Sequence, residues 1–222
     1  MIKAVFFDLD MCILDTGTLI GSFFQPVLDA LYNSELSREL KEEINDQLLI
    51  TSLDDTMEMF SVPDDIAEKM REAYRRIEVP DSIKTFGDEE FIRGLPVKNI
   101  LVTTGYRRFQ EAKISKLGIA NLFDEIIIDA LDNRDQRKGK KRIFEKLLEK
   151  NGWRKDEALA VGDNPMSELG AAKHLGILTV QTLRPTVKKW EGADYHIRSF
   201  RELTNIINII NNIDTYFSML VY

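Results

Sequence analysis

Hydrophobic residues in this chain gather in short unbroken runs, separated by longer stretches of helical spacing. Lys3 to Phe7, Asn99 to Thr103, Glu125 to Asp129, Ala158 to Val161 and Ile177 to Gln181 are runs of strand length. Between them, Tyr106 to Leu117, Lys141 to Asn151 and Ser167 to Leu175 repeat their apolar residues at the helical period. A continuous apolar strand is buried on both faces. Such strands alternating with amphipathic helices predict an α/β fold, a parallel sheet with helices on both sides. Gly118, Gly152 and Gly176 stand just past the three helices, where a left-handed residue ends a helix. A last short strand is expected around His196.

Between the first and second strands the pattern changes. Val27-Leu28-Leu31, Ile44-Leu48-Leu49 and Ile66-Met70-Ile77 keep helical spacing, and no strand pattern intervenes. Ser61-Val62-Pro63-Asp64-Asp65 reads as a helix start and Val79-Pro80-Asp81 as a stop. The expected organisation is an α/β core from residues 1–15 and 94–222, interrupted by an α-helical cap at 16–93. The insert begins directly after Asp8 and Asp10, which suggests a lid, because ligands of open α/β sheets bind outside the carboxyl ends of the strands. A decorative helical excursion is the plainer alternative.

Composition narrows the function classes. The 222 residues suit one domain with a sizeable insertion, and 44% hydrophobic with 30% charged residues is a globular balance. The net charge of −7 argues against general affinity for nucleic acid or anionic membrane, both of which need surplus Lys and Arg. A single cysteine, Cys12, cannot form an internal disulfide, so a reducing cytoplasm is the expected home. No apolar run reaches the roughly 20 residues of a membrane span, and no signal-peptide pattern is visible.

Four polar features fall at the carboxyl ends of predicted strands. Asp8 and Asp10 alternate with Leu9, so both carboxylates can line one cleft, although an Asp-x-Asp after a strand also serves simple turns. Thr103-Thr104-Gly105 ends a strand in hydroxyls and glycine before a helix, which suits either an anion or a helix cap. The stretch Arg134 to Arg142 places cations at a helix start, where the dipole disfavours them, so one of them is expected to have a task; a solvated face is the plainer reading. Gly162-Asp163 with Glu168 sets two carboxylates around a turn, or caps the following helix. Oxygen donors of this kind suit Mg²⁺, which binds through one or two carboxylates plus substrate phosphate.

Taken in order, carboxylate pair, hydroxyl, lysine and carboxylate pair, the chain resembles the haloacid dehalogenase-like hydrolase superfamily over nearly its whole length. Asp8-Leu9-Asp10 resembles the family's nucleophile motif, Thr103 its phosphate-binding Ser/Thr, and Gly162-Asp163 with Glu168 its metal-binding motif. Lys138 matches the register of the family's lysine, with Lys140 and Lys141 close by. The resemblance implies a Rossmann-like core with a small helical cap. It also implies a Mg²⁺-dependent phosphatase acting on a small phosphorylated metabolite. Asp8 would be the nucleophile and Asp10 the general acid and base. Asp8, the Asp10 carbonyl, Asp163 and Glu168 would hold the metal, and Thr103, the Thr104 amide and Lys138 the phosphoryl oxygens.

The sequence departs from the family pattern at Met11 and Cys12, which replace a usual Gly-Thr, at Thr104 in place of Asn, and at Glu168 in place of Asp. A dehalogenase of the same fold would generally lack the second Asp. A sugar phosphomutase differs mainly in cap residues, and a degenerate binding module would keep the fold without turnover. His174, Trp153 and Trp190 are expected to pack or cap rather than to catalyse, and Cys12 to pack.

Overall fold

The computed structural model describes residues 1–19, 24–48, 51–131 and 137–220; Leu49 and Arg134 to Gln136 lie outside them. The chain divides into two units, Thr18–Ser82 and the remainder, Met1–Gly17 with Ile83–Tyr222.

The unit Thr18–Ser82 is helical among its described residues: α1 (Gln25–Tyr32), α2 (Arg38–Leu48), α3 (Leu53–Met59) and α4 (Asp64–Arg76). Val27 and Leu31 of α1 and Ile66, Ala67 and Met70 of α4 are its buried stripes, recurring three or four residues apart. Helix α4 starts directly after Pro63. It carries Asp64 and Asp65 in its first turn and Arg75 and Arg76 in its last, which complements the helix dipole at both ends. Buried Asp54 of α3 pairs with Arg71 of α4 at 2.8 Å.

The other unit carries six strands among the described residues: β1 (Ala4–Phe7), β2 (Lys98–Gly105), β3 (Glu125–Ala130), β4 (Ala158–Gly162), β5 (Leu178–Thr182) and β6 (Tyr195–Ile197). All pair in parallel, in the order β3-β2-β1-β4-β5-β6. Helices α5 (Glu90–Arg93), α6 (Arg107–Leu117), α7 (Gly139–Asn151), α8 (Glu168–Leu175) and α9 (Leu203–Leu220) belong to the same unit. This is the α/β, Rossmann-like sheet that the alternation predicts. The period of two along β1 sends Phe6 to one face, stacked on Phe144 of α7 at 5.0 Å, and Phe7 to the other, edge-on to Phe123 and Phe200. The chain reverses its winding direction beside β1, the switch point at which open α/β sheets bind ligands.

The return from the insert lies earlier than the pattern suggests. Ile83 to Arg93 belongs to the unit with the sheet, not to the helical insert. Backbone hydrogen bonds from Asp15 to Lys84 and from Phe86 to Ile13, together with a bridge between Leu14 and Thr85, tie the outgoing and returning segments into a short antiparallel neck. A helical-period scan cannot detect a neck of this kind, because its partners are far apart in sequence. No helix among the described residues is long and apolar enough to cross a membrane.

Candidate active site

Asp8 follows β1 directly, and its amide still bonds the Val161 carbonyl of β4 at 2.9 Å, so the carboxylate emerges at the carboxyl edge of the sheet. The loop then turns tightly, with the amides of Ile13 and Leu14 both reaching the Leu9 carbonyl. Met11 takes a left-handed φ of 55°, a conformation that glycine adopts without penalty and methionine does not. Its amide is capped by Thr16 Oγ1 at 3.0 Å. The Cys12 carbonyl accepts two bonds from the Arg184 guanidinium, at 3.0 and 2.8 Å. Arg184 is itself buried, bidentate on Asp88 and stacked between Phe86 and Phe200.

Opposite this loop, β4 ends at Gly162, and the turn into α8 presents Asp163 and Glu168. A Cβ at Gly162 would collide with the Glu168 side chain, so only glycine lets that carboxylate tuck beneath the turn. Buried Glu168 accepts the Asn164 amide on Oε1 at 2.7 Å and an ammonium on Oε2 at 2.8 Å. Asp8, Asp163 and Glu168 each offer an oxygen, all within 4.8 Å of one another.

The ammonium belongs to Lys140, not Lys138. Lys140 Nζ donates to Asp8 Oδ1 at 2.7 Å and to Glu168 Oε2, and it is buried with both. Lys138 is exposed, and its backbone amide binds Asp129 Oδ1 at 3.0 Å while the Gly139 amide takes Asp129 Oδ2 at 3.0 Å. Asp129, at the end of β3, thereby fixes the start of α7, with Gly139 at φ 72° making the bend. The bend leaves Lys138 outside the helix and turns inward Lys140, one of the two lysines close to Lys138 in the sequence register.

Thr103 lies at the carboxyl end of β2, buried, and its Oγ1 meets no hydrogen-bond partner among the described residues. The Thr104 carbonyl accepts Gln110 Nε2 at 2.7 Å. Asp10, more open than Asp8, is held by two residues of α6: buried Lys113 bonds its Oδ1 at 2.7 Å, and Gln110 approaches its Oδ2 at 3.4 Å.

Charge is unbalanced at the centre of the site. Three close carboxyl groups face one ammonium, so ionising all three would leave two negative charges in a poorly hydrated place. Burial pushes the Asp8 carboxyl up to about 7; Lys140 opposes the rise, and Glu168 and Asp10 add to it. Asp163 rises to about 8 through burial and the charges of Glu168 and Asp8. Burial alone would lower the Lys140 ammonium, but Asp8 and Glu168 outweigh it and hold the group charged. Burial and the neighbouring Asp8 raise the Cys12 thiol, which suits packing rather than nucleophilic work. A divalent cation is the natural counter-charge, and the all-oxygen donor set fits Mg²⁺.

The strand ends bring together Asp8, Thr103 and Asp163, and α6, α7 and α8 add Lys113, Lys140 and Glu168. Lys113, Asp129, Arg184 and Asp88 were not singled out from sequence. Asp129 gave a signal, since it closes a predicted strand as Asp8 does. The other three gave none, because each is a charged residue buried by a distant partner.

Comparison with known proteins follows the same lines. A family profile described as haloacid dehalogenase-like hydrolase matches residues 5–182. The chain is 22% identical over 232 residues to glyceraldehyde 3-phosphate phosphatase of Methanocaldococcus jannaschii, covering 96% of this chain and 99% of that protein. It is 27% identical over 226 residues to pyrophosphatase PpaX of Halalkalibacterium halodurans, covering 94% and 98%. Among solved structures it is similar to a HAD phosphatase from Thermococcus onnurineus, with 28% identity, a TM-score of 0.63, and coverage of 93% of this chain and 98% of that one.

Proposed function

The chain belongs to the haloacid dehalogenase-like hydrolase family, and we propose that this phosphatase uses Mg²⁺ and a phosphorylated Asp8 to hydrolyse a small phosphorylated metabolite. The observation that carries the reading is the pair of unmet demands at one sheet edge. Asp8, Asp163 and Glu168 hold more negative charge than Lys140 offsets, and at the carboxyl end of the neighbouring strand the buried Thr103 hydroxyl has no partner among the described residues. A cation bound to a phosphoryl group meets both.

Asp8, the Asp10 carbonyl and Asp163 would hold the ion, with Glu168 supporting them through Lys140 and the Asn164 amide. When bound, Mg²⁺ supplies the positive charge that lets carboxylates and phosphate approach. Asp8 then attacks phosphorus: a bond forms from its carboxylate oxygen as the bond to the leaving oxygen breaks, and Asp10 gives that oxygen a proton. Water next attacks the phosphorylated Asp8, Asp10 takes its proton, and the Asp8–phosphorus bond breaks to release inorganic phosphate. Thr103 Oγ1, the Thr104 amide and Lys140 would bind the phosphoryl oxygens as charge moves onto them, with Lys140 in the role that the sequence register gives to Lys138. Lys113 and Gln110 would keep the Asp10 carboxyl on the α6 side of the site.

The small-substrate reading is supported by the names of the relatives, a glyceraldehyde 3-phosphate phosphatase and a pyrophosphatase. A lone buried thiol is in keeping with a reducing cytoplasm. The test is phosphate release from a panel of phosphorylated metabolites, with Mg²⁺ and with a chelator. Turnover confined to the Mg²⁺ arm is expected. Equal turnover in chelator would overturn the metal assignment, and no release from any ester or anhydride would overturn the activity.

A further inference from the structure

Strand β5 is buried along nearly its whole length, yet three of its five residues are polar. Thr179, Gln181 and Thr182 are 0%, 0% and 1% exposed in a strand that the apolar rule for parallel sheets would fill with Val or Ile. A polar group so placed is tolerated only where it is hydrogen-bonded, so the partners show what each residue is for. Thr179 is accounted for by Asp194, which takes its amide and its hydroxyl at 2.8 and 2.7 Å. The partners of the other two lie elsewhere. Gln181 Nε2 donates to the Asp163 carbonyl and to the Lys188 carbonyl, both at 3.0 Å, and its Oε1 accepts the Trp190 amide at 2.8 Å. Thr182 Oγ1 donates to the Gly162 carbonyl at 3.1 Å.

The sheet register explains the arrangement. Gln181 sits beside Gly162, the last residue of β4. Beyond that point the backbone turns away to form the loop that carries Asp163, and ladder bonds can no longer hold it. The side chains of Gln181 and Thr182 take over, gripping two successive carbonyls of the turn. The Gln181 amide is fixed in turn from its far side, because Trp190 is held by a His196 ring nitrogen on its carbonyl at 2.9 Å. Among the described residues, neither side chain hydrogen-bonds the site's carboxylates themselves.

We propose that Gln181 and Thr182 are positioning residues for the metal site: they fix the Gly162–Asp163 turn so that the Asp163 carboxylate stands where Asp8 can share a cation with it. This rests on the Mg²⁺ reading given above. Groups that orient a metal ligand commonly change metal affinity about 10–100-fold when removed. A residue that only stabilised the fold would lower the melting temperature and leave that affinity alone.

The experiment is calorimetric titration of MgCl₂ into the full-length, metal-free protein and three variants. Gln181→Met keeps the shape and loses all three bonds, and it should weaken Mg²⁺ binding about 10-fold or more. Thr182→Val loses one bond in a nearly identical volume and should weaken it a few-fold; it keeps the test decisive if Gln181→Met does not fold. Thr179→Val removes an equally buried hydroxyl of the same strand, bonded away from the turn, and should lower the melting temperature with wild-type Mg²⁺ affinity. Wild-type affinity in a folded Gln181→Met or Thr182→Val protein would overturn the positioning role, and so would an equal loss in Thr179→Val. A wild-type protein that binds no Mg²⁺ would overturn the metal reading itself, and the proposal with it.

Discussion

Asp163→Asn should stabilise the metal-free protein while destroying its use of metal. Burial and the neighbouring Glu168 and Asp8 raise the Asp163 carboxyl from 3.8 to about 8. Between those limits the folded protein binds a proton that the unfolded chain has released, so stability falls as pH rises through the window. At pH 7.5 the full gap would correspond to about 5 kcal/mol at 1.36 kcal/mol per pH unit. Asp8 shares the repulsion and solvent reaches Asp163, so its own share is on the order of 2 kcal/mol. An amide of the same shape removes that share. For a chain of this size the melting temperature in chelator should rise by roughly 4–8 °C at pH 7.5. The gain should shrink at pH 5, close to the ordinary carboxylate range. Added Mg²⁺ should reverse the ranking, because wild type gains about 2.7 kcal/mol at a hundredfold excess over its dissociation constant and the variant gains little. Scanning fluorimetry at both pH values, with chelator and with Mg²⁺, reads all four conditions. A variant that melts at or below wild type in chelator at pH 7.5 would refute the charge argument. A gain of equal size at pH 5 would show that packing, not charge, is responsible.

Two further outcomes follow from buried lysine and arginine contacts. Lys140→Met should lower kcat about 10²–10³-fold, the loss typical of one donor to a developing anion, while Lys138→Met should stay within about twofold; the opposite ranking in steady-state assays would return the role to Lys138. Arg184→Met strands Asp88 and the Cys12 carbonyl in the interior, and losing one partner of a buried pair costs about 3–5 kcal/mol, so urea unfolding should detect a loss of that size, and a change below about 1 kcal/mol would show that the network is dispensable.

What the sequence made legible was whatever local chemistry decides. The strands ending at Phe7 and Gly162 are short apolar runs closed by acidic residues, and the start of α4 is written in Pro63-Asp64-Asp65. What it hid was whatever depends on partners brought together only by folding. Lys138, Lys140 and Lys141 are chemically alike, and the choice among them falls to Asp129 and the bend at Gly139, which decide which lysine faces inward. Arg184 meets the Cys12 carbonyl 172 residues away, and Lys113 meets Asp10 across 103. Neither carries any periodic mark, since a charged residue on a helix or after a strand ordinarily faces water. The neck at Leu14 and Thr85 escaped for the same reason, being a pairing of single residues rather than of runs.

Phosphate is expected to pass through a covalent bond to Asp8. Asp10→Asn should let nitrophenyl phosphate, whose good leaving group needs little protonation, complete the first step and stall before the second, which needs the base. Rapid mixing of this variant with nitrophenyl phosphate and Mg²⁺ should release a burst of nitrophenol near one equivalent per site. Acid quenching and peptide mass spectrometry should then find the phosphate on Asp8. Steady turnover with no burst, or a phosphoryl group on any other residue, would contradict the account.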